Sequence, residues 1–309
     1  MKYMYKKKVC IVCINYNALE TTKKCISSLK KVTKYDDYNI TILDNGSIDN
    51  SYQELKKIKN IDLIRSNTNL GYTKGINLLW EYCIKKYNPD YICNMNNDII
   101  TIQSDWLSLM IDTLDNNKHA MICGNKLIFP DGRLQMLFLE RKIQNFDLKD
   151  KGQFNFIRET KAVGGANMLI KTQLIKEIGG LDENYFFGPD DIDYCMRAVK
   201  LGYKVIYNGF SKSIHIGSFS YKSAKKDFIY RHQSYGLILF SLRYDKNKIK
   251  MIFKELVRVF LTRKDPYAKK ELKNIYFHKT FFIRFIYWIQ SVYLAIKNYK
   301  NIKCSRCIK

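Results

Sequence analysis

Five short β-branched runs, at residues 8–14, 39–43, 61–65, 91–95 and 120–128, alternate with stretches of helical spacing at 20–31, 49–58, 73–86 and 104–116. Few folds satisfy such alternation. It implies parallel strands joined by crossover helices that cover the sheet. The expected architecture is therefore α/β, with a Rossmann-like, mostly parallel sheet flanked by helices. Sheets of this kind bind ligands beyond the carboxyl ends of their strands.

The residues at those ends are of one chemical character. The first run ends in INYN, the second in LDNGS, the third in RSNTNLGYTKG and the fourth in NMNND. Each is polar and carries Asp, Asn or Gly, which suits a nucleotide and a metal. Asp98, closing MNND, stands where one carboxylate can anchor a divalent cation whose other oxygen ligands come from a diphosphate. On its own, Asn-Asn-Asp after a strand reads more often as a turn. His215, in SIHIGS, reads either as a satisfied strand histidine or as a second metal ligand from a distant part of the chain.

A second block follows residue 161. KAVGGANMLIK reads as a strand and TQLIKEIGG as a short helix ending in Gly. Next comes YFFGPDDIDYCMRAVKLGY, with Asp190, Asp191 and Asp193 crowded into four positions. Crowded carboxylates raise one another's pKa. Pro189 near the first turn and acids at the positive end of a helix explain one of the three as a cap. Asp193 has an i+4 partner in Arg197. Gly165 allows a close backbone approach, with a bulged strand as the plain alternative.

The formal net charge of +24 is uneven. From Tyr221 onward there are 22 Lys and Arg against 5 Asp and Glu, within helical runs at 223–243, 248–262 and 270–299 that are rich in aromatics. Residues 1–220, with a nearly balanced charge, are thus expected to form one ordinary globular domain in two halves, 1–130 and 131–220. Residues 221–309 are expected to form a basic, aromatic helical extension. MKYMYKKK leads into an apolar run without a cleavage site, and no apolar stretch reaches the ~20 residues that span a bilayer. Nine scattered cysteines suit a reducing compartment. Cys304 and Cys307 have half of a zinc spacing, with no second pair nearby. The expected location is cytoplasmic, with peripheral attachment to the inner face of a membrane.

The ordered set ILDNGSIDNS, NTNLGYTKGIN, YICNMNNDI, GGLDENYFFGPDDIDYCMRAVKLGYKV and HIGS, between residues 8 and 218, resembles the inverting family 2 glycosyltransferases of GT-A fold, and within them the rhamnosyltransferase-like branch. By that resemblance Tyr16 stacks on the nucleotide base with Asn15 beside it, and Asp44 reads a pyrimidine imide. Gly71 and Lys74 belong to the loop that reaches the phosphates. Asn96, Asn97 and Asp98 match the Asp-x-Asp region, with Asn96 in place of its first acid. Asp98 and His215 match the metal ligands, for Mn2+ or Mg2+, and Asp191 the acid that deprotonates the acceptor hydroxyl. Asp190 is expected to raise the pKa of Asp191. The resemblance makes residues 1–220 the catalytic domain, with nucleotide-sugar binding in 1–130 and the catalytic and acceptor half in 131–220. The backbone at Gly165 would then approach the donor sugar, and Trp106 reads as an acceptor-site wall or, more simply, as a buried helix anchor.

The implied activity is metal-dependent hexosyl or deoxyhexosyl transfer. The donor is a nucleotide-diphosphate sugar of dTDP-rhamnose or UDP-hexose type, and the acceptor a glycan or lipid-linked saccharide. Two other readings stand beside it. A nucleotidyltransferase would carry a Gly-rich basic loop after the first strand, and NYNALETT is not one. A nucleic-acid-binding protein would use the basic C-terminal helices, but their mixture of apolar and basic residues suits an interfacial helix better. An anionic membrane surface, or a second copy packed through these helices, is the expected partner.

Overall fold

The computed structural model describes residues 7–135, 148–217, 226–261 and 281–303. Cys304 and Cys307 lie outside the described residues. The chain divides into two compact units. Of the described residues, 7–135, 148–181 and 191–217 form the first, and 182–190, 226–261 and 281–303 the second.

The first unit is built on one sheet. Strands β1 (Val9–Asn15), β2 (Tyr38–Asn45), β3 (Asp62–Ser66) and β4 (Tyr91–Met95) are parallel, in the order β3-β2-β1-β4. Helices α1 (Leu19–Val32), α2 (Ser51–Leu55) and α3 (Tyr72–Tyr87) make the crossovers. Short β5 (Ile99–Thr101), α4 (Trp106–Asn116), β6 (Ala120–Ile128) and β7 (Ile157–Thr160) follow, then β8 (Asn167–Lys171), α5 (Thr172–Ile178), α6 (Asp190–Lys200) and β9 (Lys204–His215). β8 inserts antiparallel between β4 and β6, β9 runs parallel to β6, and β5 and β7 pair antiparallel with β9. Of the stretch 161–171, only Asn167–Lys171 is strand; the Gly-Gly portion before it is not.

β1 shows why the strands read as apolar runs. Its side chains alternate between faces, and both faces are covered. Cys10 and Val12 join Ile76, Leu79 and Trp80 of α3 with Tyr194, Cys195 and Ala198 of α6. Val9, Ile11 and Cys13 join Cys25, Ile26 and Leu29 of α1 with Trp106, Leu107 and Met110 of α4. Gly75 lets α3 approach β1, since a Cβ there would stand 2.7 Å from Cδ1 of Ile14.

The second unit contains α7 (Lys226–Tyr244), α8 (Lys248–Leu261) and α9 (Phe281–Asn298) with the segment 182–190. Arg243 is its hub. Its Nη1 lies 2.5 Å from the fully buried Asp182, and its Nε and Nη2 donate to the carbonyls of Tyr299 and Asn301. No helix of the described residues is long and apolar enough to cross a membrane.

Candidate active site

The carboxyl ends of β1, β2 and β4 are joined by one buried chain of hydrogen bonds. Asn97 Nδ2 donates to Thr22 Oγ1 (3.0 Å), and that hydroxyl donates to Asn15 Oδ1 (2.7 Å). Asn15 Nδ2 in turn reaches Asp44 Oδ1 (3.0 Å) and Ser47 Oγ (3.1 Å). Asn15 and Asp44 are wholly buried. The amide of Asn15 is thus fully engaged, and it orients Asp44. Oδ2 of Asp44 is left without a hydrogen-bond partner among the described residues; Arg65 Nε lies 3.7 Å away and stacks its guanidinium on Tyr52. A buried carboxylate oxygen left open beyond a strand end is an acceptor for a ligand N–H. Tyr16, directly after β1, is 37% exposed.

The loop after β3 is shaped by β2. Asn45 donates to the Gly71 carbonyl (3.1 Å) and accepts from the Leu70 N–H (3.0 Å). Gly46, at φ 78°, lets the backbone at Thr68 come so near that a Cβ would stand 2.4 Å from its carbonyl carbon. Gly71, at φ 80°, is the N-cap of α3, and Lys74 projects exposed from the first turn.

Asp98 and His215 meet because β5 pairs with the end of β9, placing Ile99 opposite His215. Oδ1 of Asp98 lies 3.1 Å from Nε2 of His215, and Oδ2 accepts the Gly217 N–H (3.0 Å). Gln135 braces the histidine at two points, its Nε2 donating to the His215 carbonyl (2.6 Å) and its Oε1 lying 2.6 Å from Nδ1. Such a partner orients a metal-ligating imidazole. One oxygen and one nitrogen donor side by side fit a divalent cation whose remaining ligands are phosphate oxygens. Among the described residues no group of three or more His, Cys, Asp and Glu converges, so the protein itself offers this pair. Asn96, partly buried, uses its backbone N–H on the Ala166 carbonyl (2.8 Å).

Asp191 is partly buried at the start of α6. Oδ2 accepts the Gly165 N–H (2.6 Å) and Oδ1 accepts the Ile192 N–H (2.8 Å). Burial pushes its carboxyl above the usual range, and those N–H groups offset part of the shift. Burial is the largest cause of that shift. Asp190 itself is buried and accepts the Gly188 N–H, as a helix-start acid does. Gly165 approaches Asp191, since a Cβ there would stand 2.8 Å from the Cβ of Asp191. Asp193 pairs with Arg197 (3.1 Å) inside the core.

The acceptor-wall reading of Trp106 is corrected by its burial. It is 0% exposed, with its Nε1 donating to Thr33 Oγ1 (3.0 Å). It anchors α4 in the core and presents no surface to an acceptor.

Residues 10–179 match the family described as glycosyl transferase family 2. The chain belongs to that family. This family 2 enzyme is 26% identical over 183 residues to a glucosyl-dolichyl phosphate glucuronosyltransferase of Haloferax volcanii, covering 54% of this chain and 57% of that one. It is 23% identical over 226 residues to rhamnosyltransferase WbbL of Escherichia coli K12, covering 67% and 83%. The chain spans less than two thirds of two curated relatives it matches, 24% and 57% of their lengths. Its fold is that of a mannosyltransferase from Pyrobaculum calidifontis solved with GDP-Man and Mn2+, at TM-score 0.55 and 11% identity, over 95% of this chain and 74% of that one. The GT-A architecture expected from the motifs is therefore present, as is the helical C-terminal part.

Sequence reasoning missed three residues of the candidate site: Thr22, Ser47 and Gln135. Ser47 lies inside the LDNGS stretch, so a signal existed. Thr22 sits in an ordinary helix and Gln135 in a loop, and only the pairing of distant segments gives either a role.

Proposed function

We propose that this glycosyltransferase works with inversion, moving a hexosyl or deoxyhexosyl group from a nucleotide-diphosphate sugar to a hydroxyl of a glycan or lipid-linked acceptor. The observation that carries the reading is Asp191. It is a carboxylate held by two backbone N–H groups, raised by burial toward the pKa of an effective base.

Asp191 takes the acceptor proton as the new bond to the anomeric carbon forms. The bond from that carbon to the diphosphate breaks, and its electron pair leaves with the nucleoside diphosphate. Lys74 stands ready for charge on the departing phosphates. Asp98 and His215 would hold a divalent cation, which supplies Lewis-acid stabilisation of the same charge when bound. A nitrogen ligand favours Mn2+ over Mg2+. Asp44 offers its open oxygen to a base N–H, as a pyrimidine imide provides, and Tyr16 offers a stacking face. Asn96 and Asn97 complete the donor side. A dTDP-rhamnose or UDP-hexose donor fits this set, and the rhamnosyltransferase among the relatives supports the former.

The second unit suits a membrane surface. Ile249, Phe253, Tyr293 and Ile296 are exposed beside exposed Lys248, Lys250, Lys254 and Lys297. Apolar side chains enter the headgroup region while each basic residue adds about 1 kcal/mol near anionic lipid. That location, on the cytoplasmic face, would concentrate the enzyme near a lipid-linked acceptor. A homodimer through the same helices is the competing use of this surface.

The deciding experiment is a turnover screen of the purified chain against a panel of nucleotide sugars, with and without Mn2+, run beside Asp191→Asn. Turnover lost only in the variant supports the assignment. Equal turnover removes Asp191 from the role.

A further inference from the structure

One buried turn outside the site just described is held from two sides by polar side chains. It is residues 178–181, which follow α5. Gly179 ends that helix with φ 76°, a left-handed conformation that Gly adopts without strain. On α3, Asn77 grips Leu181 at both of its backbone polar groups. Its Nδ2 donates to the Leu181 carbonyl (2.9 Å) and its Oδ1 accepts the Leu181 N–H (2.8 Å). A Cβ on Gly180 would stand 2.3 Å from that Oδ1, so the amide lies where only Gly leaves room.

The other side belongs to α6. Arg197 donates through Nη1 to the Ile178 carbonyl (3.2 Å) and through Nη2 to the Gly180 carbonyl (2.6 Å), while its Nε is held by Asp193 (3.1 Å). One turn beyond Asn77, Trp80 packs edge-on against Tyr194 of α6, with ring centroids 5.3 Å apart. Its Nε1 donates to Asn94 Oδ1 on β4 (2.8 Å). Three elements are thereby tied together: α3 bearing Lys74, β4 leading to Asp98, and α6 bearing Asp191.

Apolar contacts alone would bury these helices, because Ile76, Leu79, Trp80 and Cys83 already seat α3 in the core. They are non-directional and tolerate sliding. The amide and guanidinium bonds are directional and fully desolvated, so they permit one register. We propose that Asn77, acting with Arg197 through the turn 178–181, is a positioning residue that sets the base Asp191 relative to the phosphate-binding end of α3. The proposal rests on Asp191 being the base.

The test uses the full chain carrying Asn77→Ala, Asn77→Ser, Gly180→Ala or Arg197→Lys, each beside Asp191→Asn. Three quantities are read: kcat and KM for the nucleotide sugar turned over in the panel, the Kd of UDP and dTDP with Mn2+ by calorimetry, and the pKa of Asp191 by carboxyl NMR, assigned by its loss in Asp191→Asn. The expected result is a tenfold or greater loss of kcat, a diphosphate Kd within twofold of the parent, and an Asp191 pKa moved down toward the ordinary range. The downward movement follows because water admitted at the start of α6 relieves the burial that raises it.

An Asp191 pKa and kcat that stay at the parent values overturn the proposal, as does a kcat loss matched by an equal loss of nucleotide affinity. Gly180→Ala and Arg197→Lys keep the test open if Asn77→Ala does not fold, because they shift or shorten the clamp without leaving the amide site empty. Full turnover in Asp191→Asn defeats the base assignment and this inference together. Lost turnover there, with parental behaviour in the clamp variants, defeats this inference alone.

Discussion

Asp98 and His215 stand 3.1 Å apart although one ends the fourth run of the chain and the other ends β9. The contact exists because the three residues of β5 fold back on β9, and because Gln135 fixes the imidazole from its far side. Among the described residues no further His, Cys, Asp or Glu joins the pair, so each should matter singly.

Asp98→Ala and His215→Ala are each expected to abolish the Mn2+-dependent part of nucleotide affinity, read by calorimetry with UDP or dTDP. Gln135→Ala, which leaves both ligands in place, should weaken it by about 10- to 100-fold, the usual effect of removing the partner that orients a metal-ligating histidine. Affinity independent of Mn2+ in the parent chain would eliminate this pair as a metal site.

Asp191→Asn should lower turnover by roughly 10²–10⁴-fold, the usual contribution of a general base, and leave nucleotide binding within twofold. The parent's activity needs the carboxylate. Because burial raises its pKa, activity should fall on acidification while pH is still above the ordinary carboxylate range. The effect on stability has the opposite sense. A carboxyl with a raised folded-state pKa favours the fold when protonated, and that contribution is lost as pH rises through the folded value. Asp191→Asn removes that pH dependence but also replaces one of the two acceptor oxygens, so the parent should gain stability relative to the variant as pH falls from 7. A difference in melting temperature that does not change with pH would contradict the raised pKa.

The chain Asn97–Thr22–Asn15–Asp44 predicts an effect at a residue that contacts no ligand. Thr22→Val keeps the shape of the side chain and leaves Asn15 and Asn97 each short of a buried partner, at about 1–3 kcal/mol for such a group. Part of that cost should appear as reduced stability. With Asp44 no longer held in one orientation, the nucleotide Kd should rise by about tenfold. An unchanged Kd would mean that Asp44 is oriented by other means.

Exposed Ile249 and Phe253 lie one turn apart on α8, beside Lys250 and Lys254. The full chain should co-sediment with vesicles containing anionic phospholipid at low salt and be released as salt screens the lysines. Ile249→Ser with Phe253→Ser should weaken co-sedimentation while turnover of a soluble acceptor is unchanged. A chain that stays in the supernatant at low salt, and elutes as a dimer, would assign this surface to self-association instead.

What the sequence determined by itself was local and periodic. Val9–Asn15, Tyr91–Met95 and Ala120–Ile128 were legible as strands, and Tyr72–Tyr87 as a helix, because a strand buried on both faces and a helix with one apolar face leave different repeats in the chain. The polar strand ends holding Asp44 and Asp98 were legible for a related reason: apolar runs stop where the backbone leaves the core. The tertiary structure decided everything that depends on which distant segments become neighbours. β8 enters antiparallel between β4 and β6, β9 carries His215 to Asp98, and Asn77 finds the turn at Leu181. Trp106 read as a wall or, more simply, as an anchor, and α4 packs it at 0% exposure, which decides for the anchor. Hydrophobic periodicity says which face of an element is buried, but the partner that buries it is chosen by the free energy of the whole packed core, which no single stretch of sequence contains.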